Sequence, residues 1–159
     1  MVVDEFEYTG HAAGVYARIP DGTGDFVDFA TSTKGKLNIV TNPVVINEVQ
    51  SKDPNGGADW IELANPTNAD IDISGIVIKD NDDTHVYTIP ENTIIPVNGF
   101  LVIDENTLGF GFGKGDSVRL YEGDMLIGST AWSEHTNPTW GLYPDVNGTE
   151  YRNTKEETP

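Results

Sequence analysis

The densest group of residues that could do chemistry is the acidic stretch DNDDTHVYTIPE, Asp80 to Glu91. Asp80, Asp82 and Thr84 stand at alternate positions and Glu91 is the twelfth residue, which partly mimics a calcium-binding loop. His85 holds the sixth position, where such loops need glycine, and Pro90 and the flanking strand-like segments do not suit an EF-hand. Two readings stand. One is a looser surface calcium site with Asp80, Asp82 and Asp83 as carboxylate ligands. The other is a solvated hairpin tip. No other cofactor is implied.

A second candidate is aromatic. Trp132, Trp140 and Tyr143 could form a strip on which a sugar ring stacks, or they could serve the core between two sheets. The three histidines, His11, His85 and His135, have no zinc-ligand spacing, and the chain has no cysteine for thiolate, disulfide or Cys-based zinc chemistry. Serine and threonine are abundant, yet no G-x-S-x-G is present. GFGFGKGDS, Gly109 to Ser117, contains Gly-Lys-Gly but lacks the order of a phosphate-binding loop, and no helical pattern follows it. It reads as a strand connection. Carboxylates are so frequent that no glycosidase pair stands out. No catalytic residue is assigned, and the chain is read as not an enzyme.

Charge narrows the partners. The chain has 159 residues, 26 acids, 9 bases and a formal net charge of −17. Nucleic-acid binding draws on Lys and Arg that release counterions from phosphates, and no basic run exists here. Direct nucleic-acid contact is therefore not expected. No apolar run is long enough for membrane insertion. The start, MVVDEFEYTG, has neither the basic nor the apolar region of a signal peptide, so the chain is read as a piece of a longer protein.

The elements that must position these residues are strands. Val, Ile and Thr total 43 residues, whereas Ala and Leu total 15, so β-branched side chains dominate and good helix formers are scarce. VVINEVQ, ADWIELAN and HVYTI read as strands. In ADWIELAN, Ile61 and Leu63 share one face, and Trp60 and Glu62 the other. In ADIDISGIVIKD the apolar phase flips at Ser74-Gly75, which predicts a bulge or tight bend. FLVID, Phe100 to Asp104, is apolar on both faces and is expected to be a central, fully buried strand. DSVRLYEGDMLIGS predicts a hairpin turning at Glu122-Gly123-Asp124. Seven or more short strands suggest an all-β sandwich or barrel.

Two stretches resemble each other. Shifted by 124 positions, MVVDEFEYTGHAAGVYARIPDG lies on MLIGSTAWSEHTNPTWGLYPDV without a gap. Met1 meets Met125, His11 meets His135, Pro20 meets Pro144 and Asp21 meets Asp145. Tyr8 meets Trp132, Tyr16 meets Trp140 and, one inserted residue later, Phe26 meets Tyr151. The expected organisation is a remnant of a preceding repeat plus linker over 1–42 and a nearly complete domain over 43–159. The remnant cannot bury its own apolar face. It must pack on the second repeat, pair with another chain or stay mobile, and packing along an edge of the sandwich is the expectation.

VVINEVQSKDPNGGADWIELANPTNADIDISGIVIKDNDD resembles the opening of bacterial lamin-tail domains: an Ile-Asn-Glu strand, a loop, Asp-Trp-Ile-Glu-Leu with a following Asn, and then Ile-Ser-Gly. YTIPENTIIPVNGFLVI and FGKGDSVRLYEGDMLI fit the later part. The family closes on a Pro-Asp-Gly turn, echoed by IPDGTGDF and, less well, by YPDVNGTEY. In the tails that follow, Lys34 stands where the family has Pro. The resemblance implies an immunoglobulin-like β-sandwich and supplies no reaction. Bacterial members are accessory modules of secreted or surface proteins, sometimes beside nucleases or other hydrolases. Nuclear lamins carry the domain after a coiled-coil rod, but no heptads occur here. The expected role is a non-catalytic spacer or interaction module, extracellular or at a bacterial cell surface, with neighbouring repeats and an unnamed protein or polysaccharide as partners. A calcium-stabilised adhesion module and a carbohydrate-binding module attached to a hydrolase are the alternatives.

Overall fold

The computed structural model describes residues 5–12, 14–19, 22–29, 34–35, 42–53 and 55–156. The chain divides into two compact units, Met1–Thr41 and Asn42–Pro159. In the first unit β1 (Val15–Ile19) and β2 (Asp25–Phe29) form an antiparallel hairpin. Four aromatics gather beside it. Phe6 stacks on Phe26 at 4.0 Å and meets Tyr16 edge-on at 5.1 Å, and Tyr8 lies 5.6 Å from Tyr16.

The second unit opens with the strand pair β3 (Val45–Gln50) and β4 (Trp60–Ala64). Next come β5 (Ile71–Asp72), β6 (Val77–Lys79), β7 (Tyr87–Thr88), β8 (Ile94–Ile95) and β9 (Phe100–Asp104). One helical turn, α1 (Glu105–Leu108), follows. Asp104 caps it by accepting the Thr107 N–H, and Gly109 ends it at φ 85°. The chain closes with β10 (Ser117–Glu122), β11 (Met125–Ala131), β12 (Trp140–Tyr143) and β13 (Glu150–Asn153). One sheet has the order β13-β12-β3-β4-β9 and the other β11-β10-β6-β7, while β5 and β8 pair separately. The architecture is all-β, an immunoglobulin-like sandwich.

The core draws on both sheets. Val49, Ile61, Leu63 and Ile103 come from the first, and Ile78, Val118 and Leu120 from the second. Side chains alternate across a strand, so each strand commits one face to this core. Burying each of these side chains contributes roughly 1.5–3 kcal/mol. The phase flip at Ser74-Gly75 is a turn. The Ile76 N–H bonds to the Ile73 carbonyl, Gly75 sits at φ 77°, and Ile73, Ile76 and Ile78 are all buried. The turn lets one run of isoleucines leave the β5-β8 pair and enter the four-stranded sheet. The β10-β11 hairpin turns at Gly123-Asp124, with Glu122 opposite Met125.

Two expectations need correction. FLVID is β9, which lies at the edge of its sheet rather than the centre. Ile103 faces the core, but Phe100 and Val102 on the other face are 47% and 46% exposed. The doubly buried strand is β4, where Trp60 and Glu62 are as enclosed as Ile61 and Leu63.

Candidate functional site

The acidic loop leaves β6 at Asp80, whose carboxylate is turned inward, while Asp82 and Asp83 are exposed. Asp80 is buried. One of its oxygens accepts the Asp82 N–H at 2.7 Å and the other binds His85 Nδ1 at 2.7 Å. A carboxylate only accepts, so His85 donates through Nδ1. This bond raises the His85 pKa above its ordinary 6.5. The Asp80 carbonyl accepts from Nε and Nη2 of Arg119, and Nη2 also pairs with Asp83 at 3.0 Å. Asp82 accepts the N–H and the hydroxyl of Thr84, and these bonds hold its pKa low. The structure thus brings Asp80, Asp82 and Asp83 into one loop but gives each a separate internal donor. Among the described residues, no three His, Asp or Glu side chains converge as a metal site.

The same use of acids continues along the Gly-rich segment. Asp116 accepts the N–H groups of Asn81, Gly113 and Ser117. Asp59 accepts the Phe112 N–H at 2.7 Å. Burial raises the Asp59 pKa, and Glu105 nearby adds to it. Phe110 and Phe112 are buried, and His85 stacks on Phe110 at 5.2 Å. The loop is tied down by carboxylates where a phosphate-binding loop would leave its amides open.

The three candidate aromatics have different surroundings. Trp132 is buried, meets Phe112 edge-on and donates its indole N–H to the Gly113 carbonyl at 3.0 Å. Trp140 is half-buried against the core and donates to Thr130 at 2.8 Å. Tyr143 is 50% exposed, and the Arg152 guanidinium lies 3.1 Å from its ring centre.

Tyr143 and Arg152 border a cleft of about 770 Å³, also lined by Asn47, Glu48, Asp145 and Lys155. Glu48 and Glu62 face each other across β3 and β4, and both are buried. Asn47 donates to Glu62 at 2.7 Å and accepts the Val146 N–H at 2.9 Å. Burial raises the Glu62 pKa, and the neighbouring Glu48 and Asp145 raise it further. The Thr139 hydroxyl donates to Glu48 and lies 2.5 Å from that of Thr154. These buried acids were not singled out from the sequence. The available signal was an acid inside each of two β-forming runs, VINEVQ and WIELA.

Among the described residues, Ser51 and His135 form a Ser–His pair. His135 Nδ1 lies 3.1 Å from the Ser51 carbonyl and 3.3 Å from the Ser51 hydroxyl. In the tautomer that donates Nδ1–H to the Ser51 carbonyl, Nδ1 cannot also take a proton from the serine hydroxyl. The buried Ser51 hydroxyl oxygen also accepts the Thr136 N–H. The pair locks the end of β3 to the segment before β12.

Two-sheet order, the buried Asn-Glu pair of β3 and the Asp-Trp-Ile-Glu-Leu-Ala-Asn strand occur together in one domain. Residues 38–150 match the family described as Lamin Tail Domain. The chain belongs to the lamin tail domain family. Comparison with curated proteins and with solved structures found no match. The lamin tail domain is a non-enzymatic, immunoglobulin-like module. The matched region takes in the acidic loop, the Gly-rich segment, Trp132, Trp140 and Tyr143, and leaves the β1-β2 hairpin outside. Among the described residues, no helix is long and apolar enough to cross a membrane.

Proposed function

We propose that this lamin tail domain is a non-catalytic spacer or interaction module of a larger secreted or surface multidomain protein. The observation that carries the reading is the use made of its reactive side chains. Asp59, Asp80 and Asp116 each accept backbone N–H groups of this domain's own loops, and His135 Nδ1 sits against the carbonyl and hydroxyl oxygens of Ser51, whose hydroxyl oxygen also accepts the Thr136 N–H. A hydrolase needs the opposite, a nucleophile and base held ready for a foreign atom. The charge of −17 further favours a partner that is not a polyanion.

The test is an assay of the purified chain on model esters, phosphodiesters and glycosides, with heat-denatured chain as the control. No turnover above the control is expected. Turnover that disappears in a Ser51→Ala or Asp59→Asn variant of unchanged fold overturns the reading.

A further inference from the structure

The first unit repeats the closing hairpin of the lamin tail domain. Under the 124-residue shift, β1 corresponds to β12; under the 125-residue shift after the inserted residue, β2 corresponds to β13. The observed registers agree with this at every shared pair. Tyr16 opposes Asp28, Ala17 opposes Val27, Arg18 opposes Phe26 and Ile19 opposes Asp25. In the second hairpin Trp140 opposes Asn153, Gly141 opposes Arg152, Leu142 opposes Tyr151 and Tyr143 opposes Glu150. A one-residue slip would exchange the faces of every side chain, so four matching pairs are a strong constraint. The segment before each hairpin agrees as well. Thr130 accepts the Trp140 indole N–H, and Phe6, which takes the Thr130 place, packs edge-on against Tyr16.

The two hairpins differ in what lies beyond them. β12 has β13 on one side and β3 on the other, where Trp140 and Gly141 oppose Val49 and Glu48. Among the described residues, β1 belongs to a sheet of two strands only. The β3 of this chain is already flanked on both sides, by β12 and β4.

We infer that the edge of β1 remote from β2 is a docking site for the β3-type strand of a second lamin tail domain. The occupant is an extended segment with the chemistry of VINEVQ, entering opposite Tyr16 and Ala17. Backbone hydrogen bonds along β1 supply affinity, and the aromatic group of Phe6, Tyr8, Tyr16 and Phe26 supplies the apolar face on which its side chains rest. One departure limits the fit. Arg18 stands where Leu142 closes the second hairpin, and it lies over the Phe26 ring at 4.3 Å while donating to the Gly24 carbonyl. The hairpin therefore keeps a charge at a position that is apolar in the complete domain. The inference rests on reading the chain as a module among like domains.

The test joins a copy of residues 42–124 directly ahead of Met1 of the full chain. The junction falls at the Gly123-Asp124 turn, so Met1 continues the copy as Met125 does. Hydrogen exchange at Tyr16 and Ala17 is compared with that of the unextended chain, and about a tenfold slowing is expected once the strand is paired. Because the chain has no cysteine, a pair placed at Ala17→Cys and at Glu48→Cys of the added copy reads the register directly. It should form a disulfide, whereas a pair shifted by one residue should not. Unchanged exchange with no 17–48 disulfide, in a chain whose residues 42–159 remain folded, overturns the inference. So does equal crosslinking in the shifted pair. Enzymatic turnover would remove the module reading and leave these strand measurements unaffected, so the two failures are distinguishable.

Discussion

Asn65 shows how single polar residues hold this domain together. It is fully buried at the end of β4. Its amide nitrogen donates toward the carbonyls of Ala69, Ile95 and Pro96, and its oxygen accepts the N–H and hydroxyl of Thr67. Removing the amide strands several buried groups, each costing roughly 1–3 kcal/mol. Asn65→Ala should therefore lose about 3 kcal/mol or more in urea unfolding. Asn65→Asp should also destabilise, since it keeps the acceptor for Thr67 and points a carboxylate at three carbonyls. A loss within the range of surface substitutions in both variants would discount this role. His85 gives a second, pH-dependent case. Its bond to Asp80 holds the imidazolium more tightly in the folded chain than in the unfolded one. The stabilisation is complete below the free-imidazole pKa of 6.5 and is lost as pH rises through the higher folded value. The difference in thermal midpoint between wild type and His85→Gln should thus shrink as pH rises past this window. A difference that is constant or grows with pH would show that the imidazole acts through packing on Phe110 alone.

At the scale of elements, the isoleucine run from β5 to β6 depends on one residue of backbone freedom. Gly75 takes φ 77°, and a Cβ built there would meet nothing within 4 Å. Gly75→Ala should therefore cost only the left-handed conformation, roughly 1–2 kcal/mol. Gly75→Asn should cost less, because asparagine tolerates that region. Equal losses in urea unfolding for the two variants would place the cause elsewhere. This turn was legible in the sequence because a phase flip coincided with Ser-Gly. The β10-β11 hairpin was legible in the same way, from Gly123-Asp124 between two apolar runs. The place of β9 was not. Alternation reports how apolar each face is, and FLVID is apolar on both; only the sheet order reveals that, among the described residues, one edge of the strand has no neighbour. In β4 the alternation showed which residues share a face but not that the face of Trp60 and Glu62 is enclosed as well. The helical turn α1 is too short to carry a period of its own. The candidate acids could be counted in the sequence, but their partners lie far along it. Asp59 meets Phe112, Asp116 meets Asn81 and Asp80 meets Arg119, contacts that only the folded sheets create.

For the whole molecule, the excess of 26 acids over 9 bases sets how the fold responds to ions. Like charges repel more in the compact state than in the expanded one, so added salt should raise the thermal midpoint as it screens them. At about 0.1 M the screening length is about 10 Å, and most of that gain should be complete. This general response must be separated from specific calcium binding, since calcium also screens. A ligand bound only by the native state, present at about 100 times its Kd, stabilises by roughly 2.7 kcal/mol. For a domain of this size that raises the midpoint by several degrees beyond any screening effect. Asp80 is held by Asp82 and His85, Asp82 Oδ1 by Thr84, and Asp83 Oδ1 by Arg119, so calcium would have to compete with these bonds. Calcium chloride and magnesium chloride at equal ionic strength should accordingly give the same midpoint, and Asp82→Asn should respond to both as the wild type does. A calcium-specific rise that disappears in Asp82→Asn would establish a metal site in this loop and reverse the assignment of its carboxylates as structural staples.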